Sequence, residues 1–230
     1  LIEYGSLIEQ YIDTIFVDTE KKHPFELVPN GDNDEPLLYY SNLLSQAHQI
    51  FNSCKIVPWS PSRLTSEAAI SSIREFFNND LSGITISLIG PGSIGFKTAL
   101  GLVEEGSTVH IYSQHLSKSA SLSSAINIVK SKYTIASAVQ ACSLEACTTV
   151  ADCLVLTASQ KNFFSASNLL SLSKKCRFVL DVGKSSLTQD ALALLRRKNN
   201  IFFQRLDISP QLIDLITVSC QHFSCNTGSF

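Results

Sequence analysis

Short apolar runs of buried-strand type recur along the chain at Ile84 to Ile89, Cys153 to Ala158 and Arg177 to Gly183, and Thr108 to Tyr112 and Ile201 to Leu206 fit further strands. Tyr133 to Val139 fits a further strand. Between these runs the apolar positions switch to helical spacing: Phe96 to Val103, Leu116 to Lys132, Leu144 to Cys147 and Ser186 to Lys198. Asp207-Ile208-Ser209-Pro210 is expected to cap a last helix. Upstream, residues 1–18 fit a helix running into a short strand, and Asp18 to Pro36, dense in charge and turn residues, is expected to be a surface excursion. Leu37 to Phe51 has an amphipathic helical pattern, and Lys55-Ile56-Val57 leads into the stiff Pro58-Trp59-Ser60-Pro61. Ser62 to Phe77 predicts a helix with Thr65 or Ser66 as cap and Glu67 in its first turn. Strands alternating with helices in this rhythm predict an α/β fold built on a doubly wound parallel sheet. The expected division is a small N-terminal α/β lobe over 1–57, the sheet domain over 58–212, and a C-terminal helix and tail over 213–230 packing back on the lobe.

The strand at Ile84 to Ile89 runs directly into Gly90-Pro91-Gly92-Ser93-Ile94-Gly95 and then into a helix that Gly106 closes. This is a Rossmann-type dinucleotide fingerprint in its proper strand-turn-helix setting. Gly90 is expected to make the tight turn, Gly92 to let backbone approach a pyrophosphate, and Gly95 to let helix and strand pack closely. The pyrophosphate would rest on the exposed amides of the helix start, those of Ser93, Ile94 and Gly95, at the positive end of the helix dipole. The bland alternative is a structural glycine turn in a doubly wound sheet.

The residues after the second strand bear on which nucleotide fits. NAD enzymes usually place Asp or Glu there to bond the ribose hydroxyls. This chain has Ser113-Gln114-His115. A carboxylate would repel a 2'-phosphate, whereas Ser113 and Gln114 can donate to one and His115 and Lys118 can add positive charge, so NADP is the expected cofactor. Arginine, the better phosphate clamp, is missing. The bland alternative is a polar loop. Ligands of doubly wound sheets lie beyond the carboxyl ends of the strands, which adds Thr157, Ala158, Ser159, Val182 and Gly183 to the expected cofactor-binding set. Lys184 is the candidate substrate-facing group, because a strand-end lysine can bond a carbonyl or, desolvated, act as a base. Asp181 can orient it, or can merely cap the helix that follows.

Composition narrows the classes. A net charge of −2 and no basic stripe argue against nucleic acid, and no apolar run is long enough for a bilayer. No cationic segment followed by an apolar stretch opens the chain, so it is expected to be cytoplasmic. The seven cysteines are scattered without a CxxC pair, which predicts small buried residues rather than a disulfide framework or a zinc site. The carboxylates at 32, 34 and 35 lack the spacing of a calcium loop, and no metal is expected. Methionine is absent, even at position 1, as in a processed fragment or a sequence written without its modified methionines. Expected partners are a small-molecule substrate and, as an option, a second copy of the chain.

Four segments together resemble the cofactor half of the methylenetetrahydrofolate dehydrogenase/cyclohydrolase family and the related methylenetetrahydromethanopterin dehydrogenases. They are Pro58-Trp59-Ser60-Pro61, similar to that family's Pro-Cys-Thr-Pro; the glycine turn; Val109 to Ser113; and Ala151 to Val155 continuing through Lys161-Asn162-Phe163 to Val179-Leu180-Asp181-Val182-Gly183. The resemblance covers about residues 56 to 185 and implies an NADP-dependent hydride transfer on a methylene-carrying reduced pterin. The chain departs from the family in its substrate half. None of Tyr4, Tyr11, Tyr39 and Tyr40 has a lysine four positions on, and Asp207-Ile208-Ser209-Pro210-Gln211 stands where the family has a glycine-rich segment. The cyclohydrolase activity therefore lies outside what the resemblance implies. Two other readings stay open: a nucleotide-binding sensor or partner-binding module without chemistry, and an enzyme of shikimate dehydrogenase or cyclodeaminase type.

Overall fold

The computed structural model describes residues 8–9, 11–30, 33–183 and 185–221, with backbone alone for 22–30, 33–41 and 221. The chain divides into two compact units, one of residues 1–61 with 212–230 and one of residues 62–211.

In the larger unit six strands form one parallel sheet: β5 (Thr85–Ile89), β6 (Thr108–Tyr112), β7 (Ala138–Gln140), β8 (Cys153–Leu156), β9 (Phe178–Asp181) and β10 (Phe202–Arg205), in the spatial order β10-β9-β8-β5-β6-β7. Counted from β5, this is the 3-2-1-4-5-6 order of the Rossmann fold, and the order reverses between β5 and β8. The α/β, doubly wound architecture expected from the sequence is the one observed.

Alternation along each strand supplies both faces of this sheet. Ile86 and Leu88, Val109 and Ile111, Cys153 and Val155, and Phe178 and Leu180 point to one face. There they pack with helices α2 (Pro61–Phe76), α3 (Ser93–Glu104) and α4 (Leu116–Val129). Ile89, Leu154, Leu156 and Val179 point to the other face. They meet α5 (Leu144–Thr148), α6 (Ala166–Leu170) and α7 (Gln189–Arg197). Two hydrogen-bonding devices fix the registers. Asp152 Oδ2 accepts from Thr85 N at 2.9 Å while Asp152 N donates to Thr85 O, pinning β8 to β5. Asn127 of α4 donates to Ala138 O at 2.7 Å and accepts from Ala138 N at 3.0 Å, so its amide ties the short edge strand β7 to its helix.

The smaller unit pairs β1 (Thr14–Asp18) with β4 (Lys55–Trp59) in parallel and holds an antiparallel hairpin of β2 (Lys22–Asn30) and β3 (Asn33–Asn42), followed by α1 (Leu43–Ile50). Lys55 Nζ donates to Ser219 O at 2.7 Å, which joins α8 (Ser209–Gln221) to β4.

Several local expectations differ from what is observed. The stretch read as a surface excursion is largely strand, because its charged residues occupy an isolated two-stranded ribbon instead of a loop. The helix expected from Leu37 begins only at Leu43; Asn42 Oδ1 accepts from Leu44 N and caps it, and the residues before it pair with β2. Helix α2 starts at Pro61, a residue suited to the first helical turn, so Thr65 and Ser66 lie inside it and Ser66 Oγ bonds back to Arg63 O. Of the described cysteines only Cys147, Cys153 and Cys176 are buried, while Cys142 and Cys220 are exposed. No helix among the described residues is long and apolar enough to cross a membrane.

Candidate functional site

The site is built where β5 ends. Gly90 N donates to Tyr112 O of β6, and the Thr157 hydroxyl beyond β8 donates to Gly90 O at 2.7 Å. The turn is thus tied to both neighbouring strands. Gly90 has φ +97°, a conformation that favours glycine. A Cβ there would also lie 2.5 Å from Ala158 Cα. Gly95 is held by packing: a Cβ would meet Gly90 O at 2.7 Å and Thr157 Oγ1 at 2.8 Å. Gly92 differs, since a Cβ built on it meets nothing within 4 Å. It is the N-cap of α3 and offers no side-chain cap, and the first bond of the helix runs from Phe96 N to Gly92 O. The amides of Ser93, Ile94 and Gly95 consequently have no acceptor within the helix, and the space beside Gly92 leaves them approachable. The Ile94 side chain packs against the core, so only its backbone can serve a ligand.

Next to this turn lies a cavity of about 300 Å³. Ile89 and Gly90 form one part of its wall, and Tyr112, Ser113, Gln114 and His115 a second. Leu144 at the start of α5 and Ala158, Gln160 and Phe163 from the segment after β8 complete it. Ser113 Oγ accepts from His115 N at 3.3 Å, and its own hydroxyl proton can point into the cavity. Among the described lining residues there is no carboxylate. The surface combines hydroxyl, amide and imidazole groups with the apolar sides of Leu144 and Phe163, which suits a flat ring carrying polar substituents.

Of the residues expected from the sequence, the structure gathers Gly90, Ser113, Gln114, His115 and Ala158 around this cavity. Lys118 is exposed in the first turn of α4 and outside the lining. The Thr157 hydroxyl is turned to the Ile89 and Gly90 carbonyls in a residue only 8% exposed, so it braces the glycine turn. Ser159 is exposed and does not line the cavity. Val182 N and Gly183 N both donate to Leu156 O at 2.9 Å, and a Cβ on Gly183 would collide with Ala158 O, so this pair closes the sheet against β8. Asp181 is 1% exposed; Oδ2 accepts from Ser185 N and Ser186 N, and Oδ1 accepts from Ser186 Oγ at 2.7 Å. Its carboxylate holds the loop after β9, whereas the helix that follows begins at Gln189 with Thr188 as its N-cap, so Asp181 does not cap it. Ser185 sits at φ +71° in that loop. Lys184 lies outside the described residues.

Sequence reasoning missed Leu144, Gln160 and Phe163. Nothing in their local pattern marks them: Leu144 belongs to a five-residue helix and the other two to an irregular segment. Only the strand order brings them beside β5 and β6. The titrating groups with clear shifts lie away from the cavity. Burial lowers the His110 imidazole in β6, and burial pushes the Cys147 thiol up to about 12.

No family model matches the chain, and no curated protein matches its sequence. Solved structures with a similar fold include the glycerate dehydrogenase related protein of Thermoplasma acidophilum, 13% identical over 66% of this chain and 58% of that one, with a TM-score of 0.45. L-tryptophan dehydrogenase of Nostoc punctiforme is 13% identical over 65% of this chain and 42% of its own, with a TM-score of 0.48. The A chain of dipicolinate synthase from Bacillus subtilis is 13% identical over 94% of this chain and 80% of its own, with a TM-score of 0.47. The chain thus spans 58% and 42% of the length of the first two.

Proposed function

We propose that the chain binds a nicotinamide dinucleotide at the glycine turn and forms the cofactor-binding part of an oxidoreductase that moves a hydride, with NADP preferred to NAD. The observation that carries this reading is the contrast within the turn. Gly90 and Gly95 are filled in by the protein, whereas the space beside Gly92 is open and lies at amides that have no helix acceptor. A phosphate needs that combination, and a turn serving structure alone does not. The cavity beside it has room for a ring, and Ser113, Gln114 and His115 in its wall, with no carboxylate among its described lining residues, support a nucleotide carrying a 2'-phosphate.

When bound, the dinucleotide supplies or accepts the hydride. The chain's own groups bind and orient it: the α3 amides hold phosphate, Thr157 braces the turn, and Asp181 holds the backbone at Ser185 and Ser186. The substrate class we propose is a methylene-carrying reduced pterin, supported by the resemblance of the segments from Pro58 to Gly183. Lys184 is the group we propose to face it. The test is absorbance at the reduced-nicotinamide band with NADP and such a pterin supplied together. We expect a change that Lys184→Ala slows without loosening cofactor binding, as for a group acting on the transition state. Binding of NADP without turnover of pterin, hydroxy acid or amino acid would favour a sensor instead.

A further inference from the structure

The edge of the parallel sheet opposite the glycine turn carries an uncovered apolar row. Apart from Leu116 and Val139, every large apolar side chain exposed among the described residues of the larger unit lies in or beside the connections that enter the strands at their amino ends. Ile128 and Val129 end α4, and Tyr133 and Ile135 follow in the connection to β7. Val150 stands before β8, Leu170 ends α6, and Phe202 begins β10. Because β7 and β10 are the outer strands, the row spans the width of the sheet. Tyr133 is 82% exposed, Ile135 99% and Leu170 70%. Single apolar residues on a surface need no explanation, but their collection along one edge marks an interface.

Charge is divided between the two halves of this edge. Lys174, Lys175 and Arg177 precede the body of β9, and Arg196 and Arg197 end α7. All five are exposed, and the two groups are neighbours, since Phe202 N donates to Arg177 O at 2.8 Å and Ile201 N to Lys198 O at 3.5 Å. Among the described residues none of the five forms an ion pair. The negative end of the α7 dipole accounts for Arg196 and Arg197, but Lys174, Lys175 and Arg177 lie outside any helix. On the other half, below β5 and β6, Glu104, Glu105, Tyr133 and Ile135 border a groove of about 540 Å³ whose described lining contains no cation. Glu105 meets Arg74 at 3.5 Å, whereas Glu104 has no ion pair among the described residues. The lysines next to the groove are already engaged: Lys130 Nζ donates to Thr134 O and Ala136 O, and Lys132 Nζ lies 5.0 Å from the centre of the Tyr133 ring.

We propose that this edge is the interface of a homodimer, in which the Arg196 and Arg197 end of one copy meets the Glu104 and Glu105 groove of the other and the apolar row is covered between them. A two-fold rotation about an axis through the middle of the edge brings each half onto its complement, so the pairing is made twice. A different protein would need its own basic and acidic halves in matching order, and a second copy of this chain already has them. An apolar centre with charged groups toward its ends is the anatomy such an interface requires. The glycine turn, beyond the carboxyl end of β5, stays open in this arrangement, and the dimer does not depend on the dinucleotide reading.

The test is sedimentation equilibrium of the whole chain over a range of concentrations, at low and high salt, with circular dichroism and thermal melting to show that each variant is folded. The wild type should reach twice the mass of the chain, and added salt should weaken the association. Glu104→Lys alone, and Arg196→Glu together with Arg197→Glu, each set like charges against one another across the interface. Either change should raise the dimer dissociation constant by about tenfold or more. Ile135→Asp, at a side chain the monomer leaves in solvent, should do the same. Mixing the Glu104→Lys protein with the Arg196→Glu, Arg197→Glu protein should restore a dimer, because the altered groove then faces the altered helix end and the two unaltered halves face each other. A wild type that is monomeric at every concentration overturns the proposal and leaves the edge to a different partner. A dimer that none of these substitutions weakens overturns it by placing the interface elsewhere. Weakened variants that fail to pair when mixed overturn the charge complementarity on which it stands.

Discussion

Gly90 packs so closely on Ala158 that a Cβ added to Gly90 would lie 2.5 Å from Ala158 Cα and 2.7 Å from its Cβ. The two residues follow the carboxyl ends of β5 and β8, the neighbouring strands between which the sheet order reverses. A ligand at that point meets a surface made of backbone, and its shape depends on there being no side chain at position 90.

Gly90→Ala should therefore damage the fold as well as the site. The substitution puts a Cβ into occupied space at φ +97°, and neither neighbour can move without shifting a central strand. We expect a loss of about 2 kcal/mol or more, in line with strain at special backbone positions, read as a lower midpoint in thermal or urea unfolding. A midpoint equal to the wild type's would show that the turn can relax.

Gly92→Val should behave in the opposite way. Nothing stands within 4 Å of the added Cβ, so the unfolding midpoint should hardly move. The side chain would fill the space over the α3 amides, and dinucleotide affinity should be lost. Retained binding in a folded variant would place the ligand elsewhere.

The glycine turn, the order of strands and helices in the larger unit, and the polar end of β6 were legible in the sequence because each rests on neighbouring residues. A buried parallel strand is apolar throughout, and the Gly90 to Gly95 spacing sits inside one strand-turn-helix unit. What was illegible depends on contacts between distant segments. Leu144, Gln160 and Phe163 reach the cavity only through strand order, and Thr157 and Asp181 look like ligand groups until their hydrogen bonds to Gly90 and Ser186 are seen. The β2-β3 hairpin was missed because charge and turn residues dominate its local composition, while pairing between the two strands decides its structure.

Asn127→Ala should loosen one edge of the sheet. Its amide satisfies both backbone groups of Ala138, and removal leaves a donor and an acceptor without that partner. A cost of about 1–3 kcal/mol is expected, with faster hydrogen exchange at Ala138 than at β5. Unchanged exchange at Ala138 would show that β7 is held by its pairing with β6 alone.

Stability should fall on the acid side in part through His110. Burial lowers its folded value below the ordinary 6.5, so the unfolded chain takes up the proton first. The stabilisation is present above about pH 6.5 and declines as pH falls through the lowered folded value. His110→Phe should flatten the unfolding midpoint between about pH 7 and pH 5 relative to wild type. Parallel profiles for the two proteins would exclude His110 as the cause.

We propose that the glycine turn and the carboxylate-free end of β6 bind a nicotinamide dinucleotide bearing a 2'-phosphate. The most direct test is calorimetric titration of NADPH and NADH into the wild type and Ser113→Asp. We predict that the wild type binds NADPH more tightly than NADH, and that Ser113→Asp reverses the order by repelling the phosphate and bonding the ribose hydroxyls. Equal affinities, or no binding of either cofactor to the folded wild type, would contradict NADP binding at this turn.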